Sequence, residues 1–203
     1  MSKSQMISTA LKEFIELIQS DSEIELYNEA GLQHEMALFL RKEIGDVFKI
    51  ELERNVKVFC KEDEKYEKKE MDIYLFEKKN PNNKYCIELK LSLGRAVPRR
   101  MYLAFSDVLF LEQLKHKGFK KCFLFFTTPK NDFWKFKKAE HKLRSYFNGD
   151  KIDFYALFNA DIPQFLKSVK DDCIFSIKGE YTTKWQDLKV QKKELWRYFL
   201  LEL

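Results

Sequence analysis

The sequence predicts a mixed α/β domain, a sheet flanked by helices, on three observations. Apolar residues recur at helical spacing near the N-terminus. Two segments of alternating character then meet at the turn-forming NPNN of residues 80–83. Finally, a long apolar helical stretch runs into the almost unbroken apolar run KKCFLFFTT.

In chain order, SQMISTALKEFIELIQ places Ile7, Leu11, Phe14, Ile15 and Ile18 on one face of a helix. GLQHEMALFLRKEIG does the same with Leu32, Met36, Phe39, Leu40, Ile44 and Val47. KIELERNVKVFC alternates roughly and reads as a strand. Met71, Ile73 and Leu75 then alternate with Asp72, Tyr74 and Phe76, and Tyr85, Ile87, Leu89 and Leu91 alternate with Cys86, Glu88, Lys90 and Ser92. Asn and Pro between these two runs supply turn chemistry, so they form an antiparallel hairpin, or a meander with the strand before. RRMYLAFSDVLFLEQLKHKG is apolar around most of its circumference, which suits a helix packed on the sheet, and Gly118 is positioned to cap it. KKCFLFFTT has the composition of a strand covered on both faces. Beyond it, DFWKFKKAEHKLRSYF reads as a basic aromatic helix, KIDFYALF as a short strand, and the tail from Cys173 mixes both signals.

Length and composition fit one domain spanning residues 1–203: 45% hydrophobic and 15% aromatic content fills a core, and no repeat or Gly/Pro-rich linker divides the chain. No run approaches the roughly 18–20 uncharged apolar residues of a membrane span, and MSKSQMISTALKEF lacks the apolar block of a secretory signal. The expected setting is the cytoplasm, without a membrane partner. Cys60, Cys86, Cys122 and Cys173 stand far apart with no CxxC or Cys/His ligand spacing, so they read as reduced packing residues rather than zinc ligands. The net charge of +5 is unevenly spread. Residues 1–90 carry 15 Lys+Arg against 19 Asp+Glu, and residues 91–203 carry 22 against 13, which makes the second half the side to meet a polyanion.

Within YCIELKLSL, Glu88 and Lys90 interrupt a strand that is otherwise apolar. Side chains two apart on a strand share a face about 7 Å apart. With the turn centred near Pro81, Asp72 falls opposite Lys90 and its carboxylate reaches the same face. The pattern E-x-K also occurs at Glu67/Lys69, Glu77/Lys79 and Glu140/Lys142, but in charged loop, strand-end or helical sequence where solvated charge is expected. Burying an unpaired carboxylate in an apolar strand is costly unless something compensates it. One solution is an edge strand whose solvent face carries a cross-strand salt bridge. The other is a divalent cation: Mg²⁺ takes one or two carboxylates plus water and phosphate oxygens, a role for Asp72 and Glu88 with help from the Leu89 carbonyl. Lys90 would then orient or deprotonate the attacking water and offset charge growing at phosphorus.

Asp72, the fifteen residues after it, and IELK at Glu88 to Lys90 resemble the PD-(D/E)xK nucleases, the restriction-endonuclease-like superfamily, over about residues 31–128. Met71 stands where that family usually writes proline. The resemblance implies an αβββαβ core followed by a C-terminal extension over about residues 129–203. It also implies Mg²⁺ as cofactor, with Mn²⁺ as a substitute, and a further acid on the preceding helix. Glu35 of LQHEMALFLR matches that acid, while helical phase offers Glu43 as a rival. Arg95, Arg99 and Arg100, entering the helix after the motif, are expected phosphate contacts, and Gln113 an accessory residue on it. In the extension, Trp134 and Phe136 interleave with Lys135, Lys137 and Lys138, a composition compatible with nucleic-acid contact as well as with a helix that buries its aromatics and solvates its lysines. The expected function is a metal-dependent endodeoxyribonuclease of restriction, defence or repair type acting on DNA, with a homodimer as one route to double-strand cutting. The alternatives are an inactive nucleic-acid-binding or protein-interaction module of the same fold, and a nuclease acting on RNA.

Overall fold

A computed structural model describes residues 1–59, 66–94, 97–135, 177–190 and 194–203. The chain is mixed α/β: a six-stranded mixed sheet with helices on both faces. Among the described residues no helix is long and apolar enough to cross a membrane.

Helix α1 (Lys3–Ser20) begins at a capping box, in which Ser2 Oγ accepts the Gln5 N–H and Gln5 Oε1 accepts the Ser2 N–H, an arrangement worth about 1 kcal/mol. Helix α2 (Glu29–Ile44) is capped by Asn28, whose Oδ1 accepts the Gly31 N–H at 2.6 Å. Three strands follow, β1 (Phe48–Asn55), β2 (Glu70–Glu77) and β3 (Lys84–Leu91), as an antiparallel meander. The first is shorter than its alternation suggests, because Val56–Phe59 closes into a 3₁₀ turn.

Helix α3 (Val97–His116) crosses over from β3 to β4 (Lys121–Thr128), which pairs with β3 in parallel. Its end is a Schellman motif: Gly118 at φ 85° lets its N–H reach the Lys115 carbonyl and the Phe119 N–H reach the Leu114 carbonyl. Strand β5 (Gln186–Val190) and strand β6 (Glu194–Glu202) form a hairpin added beyond β4, so the sheet runs β1-β2-β3-β4-β6-β5. The predicted basic helix opens as a 3₁₀ turn at Asn131–Phe133. From Phe136 onward it lies outside the described residues, Lys138 included, as do Arg95, Cys60, Cys173 and the KIDFYALF segment.

Alternation sorts the side chains to two cores. Ile73, Leu75, Ile87, Leu89, Phe123 and Phe125 pack under α1 and α2. Tyr74, Cys86, Leu124, Phe126 and Phe199 pack under α3. Strand β4 is therefore apolar on both faces, as its sequence requires. Cys86 and Cys122 are buried neighbours across the β3/β4 pair, reduced, with both thiols pushed up by burial, so they serve as packing residues.

One expectation on register is corrected. The β2/β3 ladder pairs Ile73 with Ile87, which sets Asp72 toward Glu88 rather than Lys90. The turn explains the two-residue difference. Asn80 donates its N–H to Glu77 and Asn83 donates to Asn80, so two successive turns centre the loop at Asn80 instead of Pro81.

Candidate active site at the splayed end of the hairpin

The β2/β3 ladder stops at Ile73/Ile87, and beyond it carboxylates take over the backbone donors. Glu88 Oε1 accepts the Asp72 N–H at 3.2 Å, and Asp72 Oδ2 accepts the Leu89 N–H at 2.7 Å. On the other side of β2, Glu53 faces Asp72 across β1 with φ 50°, in the left-handed region that non-glycine residues rarely adopt. Gln33, buried on α2, donates through Nε2 both to the Asp72 carbonyl at 2.6 Å and to Glu53 Oε1 at 2.5 Å. Strained backbone of this kind clusters where surrounding structure fixes a functional geometry.

Asp72 and Glu88 meet directly through the Asp72 N–H, and Lys90 lies two residues along β3 from Glu88, linked to the same cluster through Asp107. Glu88 is fully buried, and burial together with Asp72 raises its carboxyl well above the usual range. Lys90 is buried as well. Its burial works to lower its pKa, but Asp107, Glu29 and Asp72 outweigh that and hold the ammonium above its ordinary value. Lys90 is therefore a fixed cation. Its Nζ lies 3.1 Å from Asp107 Oδ2, 3.3 Å from Glu29 Oε1 and 3.4 Å from the Leu89 carbonyl.

Three members of this cluster were not expected from the sequence. Asp107, buried on α3, has its carboxyl raised by burial against the pull of Lys90 and Lys68. Its position inside AFSDVLFL, a lone acid in an apolar helix, is the same signal that marks Glu88. Glu29, in the first turn of α2, reaches Lys90 and also accepts the Leu91 N–H at 3.0 Å; in the sequence it looks like an ordinary helix-dipole acid. Lys68 stands just before β2 and contacts Glu88 Oε2, Asp72 Oδ1 at 3.2 Å and Asp107 Oδ1 at 3.6 Å. Nothing in its charged sequence surroundings distinguishes it.

Glu35 sits elsewhere. It lines a surface cavity of about 550 Å³ with Glu23, Tyr27, Asn28 and His34. Helical phase gives the reason: Glu29 and Gln33, four apart, share the face toward the sheet, and Glu35 is turned about 200° from Gln33. Glu43 is exposed beside Lys42. Arg99 is exposed and Arg100 half-buried on the first turn of α3, and Lys135 is exposed after the 3₁₀ turn. Gln113 does not point to a substrate surface; its Oε1 accepts the Glu67 N–H at 3.0 Å and so ties the Lys68 segment to α3.

Among the described residues no group of three or more His, Cys, Asp and Glu side chains is arranged to hold a metal ion. The donor chemistry nevertheless suits a hard cation. Asp72 Oδ1 and Glu88 Oε2 converge on one point, at the Lys68 ammonium, while the Leu89 carbonyl lies by Lys90 Nζ. Around that point four carboxylates, Asp72, Glu88, Asp107 and Glu29, face two ammonium groups, Lys68 and Lys90. Comparison with family models, with curated proteins and with solved structures gives no match for this chain.

Proposed function

We propose that the protein is a metal-dependent endonuclease with a restriction-endonuclease-like core of the PD-(D/E)xK type, hydrolysing phosphodiester bonds in DNA. The observation that carries this reading is the meeting of Asp72 and Glu88 at the point where β2 and β3 part, with Lys90 tied to the same cluster through Asp107. It is supported by the order of elements from α2 to β4, helix, three strands, helix, strand, which is the order that the resemblance implies.

Asp72 and Glu88 would hold Mg²⁺, or Mn²⁺ in its place. The bound ion supplies Lewis acidity toward the phosphate and a more acidic water. The chain supplies the rest. Lys90, kept charged by Asp107 and Glu29, orients the attacking water and opposes the negative charge that builds on the phosphate oxygens. In this reading the ammonium, held between Asp107 and Glu29, is an electrostatic partner rather than a proton acceptor. Arg99 and Arg100 stand at the N-terminus of α3, where guanidinium groups and free backbone N–H groups suit phosphate.

A second reading, a non-catalytic binding module, has one observation in its favour: the Lys68 ammonium already occupies the free oxygens of the two carboxylates. One assay separates the readings. Purified protein is incubated with supercoiled plasmid and with structured RNA, in Mg²⁺, in Mn²⁺ and in chelator, beside Asp72→Ala and Lys90→Ala. The expected result is metal-dependent plasmid cutting that each substitution reduces by roughly 100-fold or more. Equal rates in the variants refute the assignment. Tight binding without cutting selects the module, and cutting confined to RNA changes the substrate class.

A further inference from the structure

Each carboxylate at the parted strands has one oxygen committed to the backbone. Asp72 Oδ2 accepts the Leu89 N–H, and Glu88 Oε1 accepts the Asp72 N–H. The oxygens left over, Asp72 Oδ1 and Glu88 Oε2, both take the Lys68 ammonium. A metal ligated by these two residues needs the same lone pairs at about 2.1 Å, so the ammonium and the metal cannot both hold them. Lys68 is also placed by design of its neighbours: Gln113 Oε1 accepts the Glu67 N–H, Ser106 Oγ donates to the Glu67 carboxylate, and the Lys68 ammonium lies 5.9 Å from the centre of the Phe110 ring. Asp107 Oδ1, 3.6 Å from Lys68 Nζ, is a second acceptor within reach.

We propose that Lys68 is a tethered counter-ion that fills the cation seat between Asp72 and Glu88 in the metal-free protein and is released from it toward solvent when a divalent ion enters. This inference rests on the nuclease reading. It explains how a buried carboxylate pair is tolerated without metal, since an uncompensated pair is costly. It also means that metal binding releases an ammonium beside the seat, where an incoming phosphate gains a partner. Metal and substrate then favour each other's binding.

Two measurements test it. Acylation of lysines in the folded chain, followed by proteolysis and mass spectrometry of the peptides, reads the accessibility of Lys68. Saturating Mg²⁺ raises its labelling about tenfold while exposed Lys57 is unchanged. Mn²⁺ titration followed by electron paramagnetic resonance reads affinity. Lys68→Met binds Mn²⁺ about tenfold more tightly than the wild type, and Asp72→Asn abolishes that binding. Tighter binding by Lys68→Met with no metal effect on Lys68 labelling is a charge effect alone and overturns displacement, leaving the nuclease reading intact. No Mn²⁺ binding that depends on Asp72, in wild type and Lys68→Met alike, overturns both. Should Lys68→Met not fold, the wild-type labelling decides.

Discussion

Asp107 Oδ2 lies 3.1 Å from Lys90 Nζ, and the contact is an ion pair rather than a well-directed hydrogen bond. The pair joins α3 to β3 across the face that the motif occupies, and it is the largest influence holding Lys90 charged against its burial. Asp107→Asn keeps the shape and removes the charge. Because the change leaves the buried Lys90 ammonium with Glu29 as its remaining acidic contact, the variant is expected to melt about 5 to 10 °C below the wild type. Turnover falls about 10- to 100-fold, the usual scale for losing a residue that orients a ligand or catalytic group. Kinetics of plasmid cutting, read as kcat and KM separately, checks this: a loss confined to KM contradicts a positioning role.

Glu29 is the acid of α2 that reaches Lys90, whereas the resemblance points to Glu35 as the acid on that helix. Its two oxygens bridge Lys90 Nζ and the Leu91 N–H, so it fixes the end of β3 as well as the lysine. Glu29→Gln is expected to reduce cutting about tenfold, and Glu35→Gln by less than about twofold. Parallel initial-rate measurements on the two variants decide which acid belongs to the site.

The elements that sequence reading located are those whose burial is periodic. Ile7 to Ile18, Leu32 to Ile44 and the two-sided strand Lys121–Thr128 announce their faces through spacing, and the core follows it. The parity of Asp72, Glu88 and Lys90 was legible for the same reason, whereas the register was not, since it depends on how two turns divide Glu77 to Asn83. Lys68 and Glu29 were illegible because their contacts with Glu88 and Lys90 span 20 and 61 residues and neither interrupts an apolar pattern. Asp107 did interrupt one, and the criterion applied to Glu88 would have found it had it been extended to the helix. The β5/β6 hairpin was obscured by a tail whose apolar positions fit strand and helix alike.

Gly118 isolates a purely backbone effect. Its φ of 85° is required by the Schellman closure of α3, and a Cβ placed there would meet no neighbouring atom within 4 Å. Gly118→Ala should therefore cost about 1 kcal/mol through left-handed strain alone, lowering the urea midpoint without changing the slope or the rate of cutting.

Glu112 ties the C-terminal hairpin's approach to α3. It is buried, and its carboxylate accepts the Lys178 N–H at 2.9 and 3.1 Å, the Gly179 N–H at 2.6 Å and the Tyr181 hydroxyl at 2.8 Å. Glu112→Ala removes one acceptor from three donors and is expected to cost about 2 to 4 kcal/mol in urea unfolding. The clamp also carries a pH signature. Burial, then the hydrogen bond to Glu112 and its charge, raises the Tyr181 phenol above its ordinary 10.0. The folded chain thus keeps a proton that the unfolded chain releases above about pH 10, and stability falls as pH rises beyond that point. Burial likewise pushes Tyr74 up to about 12, so part of the alkaline loss belongs to it. Tyr181→Phe deletes only the Tyr181 share: the variant loses stability less steeply than wild type between about pH 10 and 11, whereas the two slopes agree below pH 9. Parallel slopes throughout, from urea midpoints across that range, would show that the phenol is not held by the carboxylate.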